Sequence, residues 1–449
     1  MNIKEQVKNY KEDILRDLGV LVSYNSIMET NSQYPFGEAN AKCLNTALDM
    51  FRNAGMSVTN LDNYCGFGEI GEGDKLIGVL GHLDVVPAGE GWNTDPFKMT
   101  MIDNKIFGRG VSDDKGPMVC AFYALRVIMD SKIPLNKRIR IVVGSNEENG
   151  SKCLDYYVSK EGHIDYGFTP DASFPGIHGE KGMIGCNLLA KTSKIRNIRG
   201  GVAGNVVCNK VEFNINKNDL DIEKFKSTLD ENNIKYDIKG NEDFEITVFG
   251  VAGHASVPTS GINAMSHTMN ALLNAECDDN FVKYYNDVVG LTTDGSKSNI
   301  DCSDNYGPLT FNIGVIKQEG DEISASIDIR FPVTLTGNEV LTKMKNGFNN
   351  DLGHLSEAHI SEPLFFDPEH PMIQALVKSY QKVTNDYDTK PCVIGGGTYS
   401  RHINNCIAFG GDLSEESHHI HDANEFLEVE DLLTQTEIYV HAILNLLEL

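Results

Sequence analysis

The chain is 449 residues long, with 41% apolar and 23% charged residues and a formal net charge of −25. That length exceeds what one compact core supports, so at least two domains are expected. The acidic balance argues against nucleic acid as a partner, no apolar run reaches membrane-spanning length, and ten cysteines without a CxxC pair read as reduced, buried thiols and not as a disulfide framework or structural zinc site.

In chain order, the charged opening MNIKEQVKNYKEDILRDL lacks the apolar centre of a signal peptide, so a cytoplasmic protein is expected. Its spacing predicts an amphipathic helix over 3–19, with Val7, Ile14, Leu15 and Leu18 on one face. A second helix is expected over 39–54, closed by Gly55. Strands follow over 56–61 and 75–80. In the latter, LIGVL is apolar without alternation, as in a strand covered on both faces, and His82 stands just past its end. After a loop holding Asp113 and Asp114, Pro117 occupies the expected first helical position, and Val119, Phe122, Ala124, Leu125 and Ile128 keep helical spacing. A strand over 139–143 runs into GSNEENG, which puts Glu147 and Glu148 beyond its end, and Asp171 follows a short apolar segment in IDYGFTPDASFP. This rhythm predicts a mostly parallel sheet with ligands bound beyond the strand ends.

From about Gly182 the pattern changes. KVEFNI, FEITVFG and SASIDIRF alternate apolar and polar residues, as antiparallel strands with one wet face do. The expected organisation is α/β: a mostly parallel-sheet domain (1–182 and 365–449) interrupted by an inserted α+β domain (183–364). Helices are expected over 371–383 and 430–447.

The residues with chemistry to offer lie in the loops. His82 and Asp84 form an HxD pair, in which one group can ligate a metal while the other orients it; alternatively Asp84 caps backbone beside a satisfied histidine. Asp113 and Asp114 repel one another unless a cation is near, although Asp114 also stands where a helix N-cap would. Of Glu147 and Glu148, one carboxylate can bind metal and the other act as general base. Asp171 alone reads as structural, and chemistry does not separate His418, His419 and His421. Taken together, these groups suffice for two ions sharing a bridging carboxylate. In the 323–331 strand, Ile323, Ala325, Ile327, Ile329 and Phe331 occupy one face, so Arg330 points to the other.

The ordered strings GHLDVVPAGEGW, GRGVSDDKGP, SNEENGS, TPDASFP and HDANE resemble the motif series of the co-catalytic di-metal exopeptidases, which include carnosinase, aminoacylase and succinyl-diaminopimelate desuccinylase. The likeness covers nearly the whole chain and is nearest to PepV-type dipeptidases. It implies that His82 and Asp171 hold one ion, Glu148 and His421 a second, and Asp113 bridges them across a cis Asp113–Asp114 peptide. It also implies that Asp84 orients His82 and that Glu147 is the general base. The inserted domain would be a lid, with Asn205 and His254 stabilising the transition state and Arg330 clamping the substrate's terminal carboxylate. Gly397 and Thr398 of the GGGT string (395–398) would present N–H groups to the same carboxylate.

The expectation is therefore a metallo-dipeptidase with two divalent ions, Zn first and Mn or Co as alternatives. It would hydrolyse dipeptides with a free C-terminal carboxylate through a metal-bound water activated by Glu147. A monomer with no nucleic-acid or membrane partner is expected. The alternatives are an N-acyl amino acid deacylase of the same family and a non-catalytic metal-dependent binding protein.

Overall fold

A computed structural model describes residues 2–30, 33–413 and 418–449. It divides into two compact units: Met1–Gly179 with Phe366–Cys392 and Gly397–Leu449, and Glu180–Phe365 with Val393–Gly396. The short excursion Val393–Gly396 thus belongs with the second unit.

The first unit is built on a mixed sheet. Strand Leu76–His82 lies at its centre, buried along its whole length. It pairs in parallel with Arg138–Gly144 on one side and Tyr166–Thr169 on the other, and Cys406–Ala408 continues the parallel set beyond Tyr166–Thr169. Cys65–Ile70 and Ser57–Leu61 extend the opposite side antiparallel. Helices Lys115–Asp130, Pro371–Thr384 and Val429–Leu447 supply much of the apolar cover, sharing one core with the buried Ile77, Val79, Ile139, Ile141 and Val143. That double cover explains why LIGVL carries no polar alternation.

Two local expectations change. The opening helix is two helices, Ile3–Asn9 and Lys11–Val22, broken at Tyr10. Tyr10 is tied to Asp130 through its hydroxyl and to Tyr123 by ring contact at 5.1 Å, tertiary bonds that no periodicity records. The second of these helices runs past Gly19, which faces Met99, to Val22. The helix after the Asp113–Asp114 loop begins at Lys115, so Pro117 is its third residue; its missing N–H is still among those without an intrahelical acceptor.

The second unit is an antiparallel sheet in the order 236–239, 243–249, 210–216, 196–200, 310–319, 322–331, 182–191 and 353–355. Its inner face buries Ile323, Ala325, Ile327, Ile329 and Phe331 under helices Ile222–Glu231, Ala264–Asn274, Asn280–Val288 and Gly337–Phe348. Among the described residues, no helix is long and apolar enough to cross a membrane.

Candidate active site

The acidic and imidazole groups of the first unit gather at the C-terminal ends of the parallel strands. His82 is the last residue of the central strand and is almost completely buried. Its Nδ1 lies 3.0 Å from the backbone oxygen of Asp84 and 3.5 Å from the Asp84 carboxylate. With Nδ1 donating to that carbonyl, Nε2 faces Asp113 Oδ1 at 3.0 Å and Asp171 Oδ2 at 3.8 Å. The nearer grip on the imidazole is thus Asp84's main chain. Its carboxylate instead accepts the backbone N–H groups of Glu147 at 3.0 Å and Glu148 at 3.1 Å.

Asp113 and Asp114 are joined by a cis peptide bond. Asp114 is not the helix cap its position suggests: its side chain makes no capping bond and turns into the core, where Oδ2 accepts the N–H of His82 at 3.1 Å. Gly81 allows this, since a Cβ there would stand 2.1 Å from that oxygen. Asp113 faces the cluster, with Oδ2 2.9 Å from His421 Nε2. His421, in left-handed backbone conformation, also lies 3.3 Å from Glu148 Oε1. Of the three neighbouring histidines it alone joins the cluster. His418 is buried edge-on against Phe426, and His419 also packs near that ring.

Two triads result, His82–Asp113–Asp171 and Asp113–Glu148–His421, each with its ligand atoms within 4.8 Å of one another. Asp113 belongs to both, with one oxygen toward each imidazole. Glu147 stands in neither.

The charges respond to this crowding. Burial, then the negative charges of Asp171, Glu148 and Asp113, push Glu147 well above the usual carboxylate range against the pull of His82. Burial and Asp113 raise Asp171 to about 7. Burial opposes the charge on His82, but hydrogen bonds to Asp113 and Asp84 outweigh it and hold the imidazole well up. Asp113 and Glu148 raise His421 as well. Burial alone would raise Asp113; His421 and His82 hold it down instead. Protons thus bind where carboxylates and imidazoles converge. Such a donor set, oxygen and imidazole without thiolate and with one carboxylate common to both halves, fits a pair of divalent cations.

Some contributors escaped sequence reasoning. Arg109 and Glu425, both buried, pair at 2.7 Å, and Glu425 also accepts backbone N–H groups from the Asp113 loop. Asn424 receives the N–H of Asn93 at 2.8 Å. The only sequence signal was their place inside GRG and HDANE. Tyr399 sets the edge of its ring against His82 at a centroid distance of 6.1 Å and its hydroxyl 2.9 Å from Cys153 Sγ.

Thr398, in the first unit, is buried and caps a short 3-10 turn by accepting from Ser400; Gly397 beside it is exposed. Asn205, His254 and Arg330 lie in the second unit. The Asn205 carbonyl accepts from Ala255. His254 is exposed; its Nδ1 accepts the N–H of Ser256 at 3.2 Å, which assigns the proton to Nε2. Arg330 is not the surface arginine that its strand face suggests: it is 6% exposed. Its fork is held by Asp328 at 2.6 and 2.9 Å, and it donates to the Gly395 carbonyl at 2.9 Å.

The family model described as "Peptidase family M20/M25/M40" matches residues 78–445. The Bacillus subtilis protein "Putative dipeptidase YtjP" is 34% identical over 466 residues, covering 99% of this chain and 100% of the relative. A Staphylococcus saprophyticus protein, "Putative dipeptidase SSP1012", is 32% identical over 476 residues, with 99% of each chain covered. Among solved structures, human carnosine dipeptidase 1 aligns with a TM-score of 0.61 at 16% identity, covering 100% of this chain and 98% of that one. The Saccharomyces cerevisiae di-peptidase Dug1p aligns with a TM-score of 0.60 at 15% identity, covering the same shares. At such identities the structural likeness speaks for the fold alone.

Proposed function

The chain belongs to peptidase family M20/M25/M40 and is a peptidase, a hydrolase of dipeptidase-like type, and from that premise we propose that it cleaves dipeptides bearing a free C-terminal carboxylate, with Glu147 as the general base. One observation carries the reading: two ligand triads share Asp113, while the protonatable Glu147 stands beside them and outside both.

His82 and Asp171 would hold one divalent ion, Glu148 and His421 the other, and Asp113 both. Zn, Mn and Co all suit these ligands, with Zn put first. Divalent ions there supply Lewis-acid polarisation of a substrate carbonyl and a lowered pKa for water. The rest falls to the protein. Asp84 ties down the backbone of Glu147 and Glu148 and, through its carbonyl, fixes the His82 ring. Glu147, whose proton affinity is raised by burial and neighbouring charge, takes a proton from the attacking water and returns it to the departing amine. Gly397 and Thr398 are proposed to meet the substrate carboxylate. Asn205, His254 and Arg330 are proposed as substrate-contacting residues, His254 through its Nε2 proton and Arg330 through its guanidinium.

The test is a panel of free dipeptides, amidated dipeptides and N-acetyl amino acids, assayed on chelated protein with Zn²⁺, Mn²⁺ and Co²⁺ returned separately. Metal-dependent cleavage of the free dipeptides is expected. Cleavage of N-acetyl amino acids with no turnover of dipeptides would contradict the proposal and favour a deacylase.

A further inference from the structure

Glu425 lies four residues beyond His421 and is completely buried. Its Oε1 accepts backbone N–H groups from Gly110 at 3.1 Å, Ser112 at 2.9 Å and Asp113 itself at 3.3 Å. Its Oε2 accepts from Gly110 N–H at 3.1 Å and from Arg109 Nη1 at 2.7 Å. The same two segments are joined again by Gly108 N–H to the Glu425 carbonyl at 3.2 Å and by Ser112 Oγ to the Phe426 carbonyl at 2.6 Å. Arg109 is buried too; it donates to the carbonyls of Pro87 and Ala88 and stands 5.3 Å from the Trp92 ring. One carboxylate therefore fastens the loop that presents Asp113 to the segment that presents His421.

We propose that Glu425, held by Arg109, is a positioning residue that sets the separation of Asp113 and His421 and thereby determines affinity for the second of the two divalent ions; this rests on the two-ion reading of the site. The assignment to one ion follows from chain connectivity. His82 and Asp171 sit at the ends of neighbouring parallel strands, so the sheet fixes their spacing without help. His421 has no such support: it lies in left-handed turn backbone between the described strands Gly411–Asp412 and Phe426–Glu428. Neither oxygen of Glu425 can be replaced by an amide nitrogen without pointing N–H at N–H, because both accept from donors. Glu425→Gln therefore loosens the clamp while nearly preserving side-chain volume.

The test is titration calorimetry of Mn²⁺ into chelated full-length protein, with circular dichroism to verify folding. The wild-type chain is expected to bind two equivalents. Folded E425Q should bind the first with little change and the second at least about tenfold more weakly, the range seen when support behind a metal ligand is lost. Arg109→Lys, which keeps the charge and loses the planar fork, should weaken the second equivalent in the same direction by a smaller factor, and it decides the matter should E425Q fail to fold. Unchanged affinity for the second equivalent in the folded variants, or an equal loss in both equivalents, would overturn the proposal. A wild-type chain that binds fewer than two equivalents would instead overturn the two-ion reading on which it rests.

Discussion

The carboxylate of Asp84 accepts the backbone N–H of Glu147 at 3.0 Å, while the carbonyl of the same residue lies 3.0 Å from Nδ1 of His82. One fully buried residue thus orients both a ligand and the group placed to move protons. Asp84→Asn keeps the shape but turns an amide N–H toward a backbone N–H at Glu147 or Glu148. Steady-state kinetics should show kcat lowered by about tenfold to a hundredfold with KM little changed, as for lost support behind a metal site. An unaltered kcat would remove Asp84 from the account.

Asp113 is the only carboxylate common to both triads. Asp113→Ala should abolish activity and lower metal content below one per chain in atomic absorption of the purified protein. His421→Ala should cost one ion and leave the other. Identical metal content in the two variants would contradict the sharing of Asp113.

Arg330 is held bidentately by Asp328 and donates through Nη1 to the Gly395 carbonyl, so only the N–H groups left by these contacts are available to a substrate. Charge-assisted hydrogen bonds contribute about 1.5–3 kcal/mol, so Arg330→Ala should raise KM for free dipeptides by roughly ten- to a hundredfold. Amidated dipeptides should show a smaller change. Because Asp328 loses its partner, the melting temperature should fall as well. An equal KM change on both substrate classes would count against the carboxylate assignment.

His441, on the last helix, is 8% exposed. Burial, and then the charge of Lys382, push its pKa down to about 4. The folded state therefore keeps this imidazole neutral, while the unfolded chain, with an ordinary value near 6.5, takes up the proton first. Stability from this site should fall as pH drops from about 6.5 toward 4, by on the order of 2 kcal/mol at pH 5. In urea unfolding, the difference between wild type and His441→Gln should shift toward the variant by that amount between pH 7 and pH 5. A pH-independent difference would refute the sign.

The sequence carried much of this architecture because the relevant signals are local. Continuous apolar runs such as LIGVL announce doubly covered strands, and His82, Glu147 and Asp171 follow such runs directly. What stayed hidden depends on partners distant in the chain. The helix break falls at Tyr10, whose hydroxyl meets Asp130, and the Asp114 side chain turns from a cap to the N–H of His82. Arg330 looks like a surface residue until Asp328 and Gly395 close around it. Glu425 reads as one acid among many, because its five hydrogen-bonding interactions come from residues more than 300 positions away. Three histidines in four positions are chemically alike, and only the fold brings His421 to Asp113.

The assignment of Glu147 as base, separate from the ligands, is the point on which the account turns. Glu147→Ala should be measured for dipeptide hydrolysis and bound metal in the same preparation. The account predicts kcat reduced by about a thousandfold or more, in the upper part of the range for a lost general base, with two ions still bound per chain. A Glu147→Ala protein that keeps near-wild-type turnover, or that loses its metal along with its activity, would contradict it.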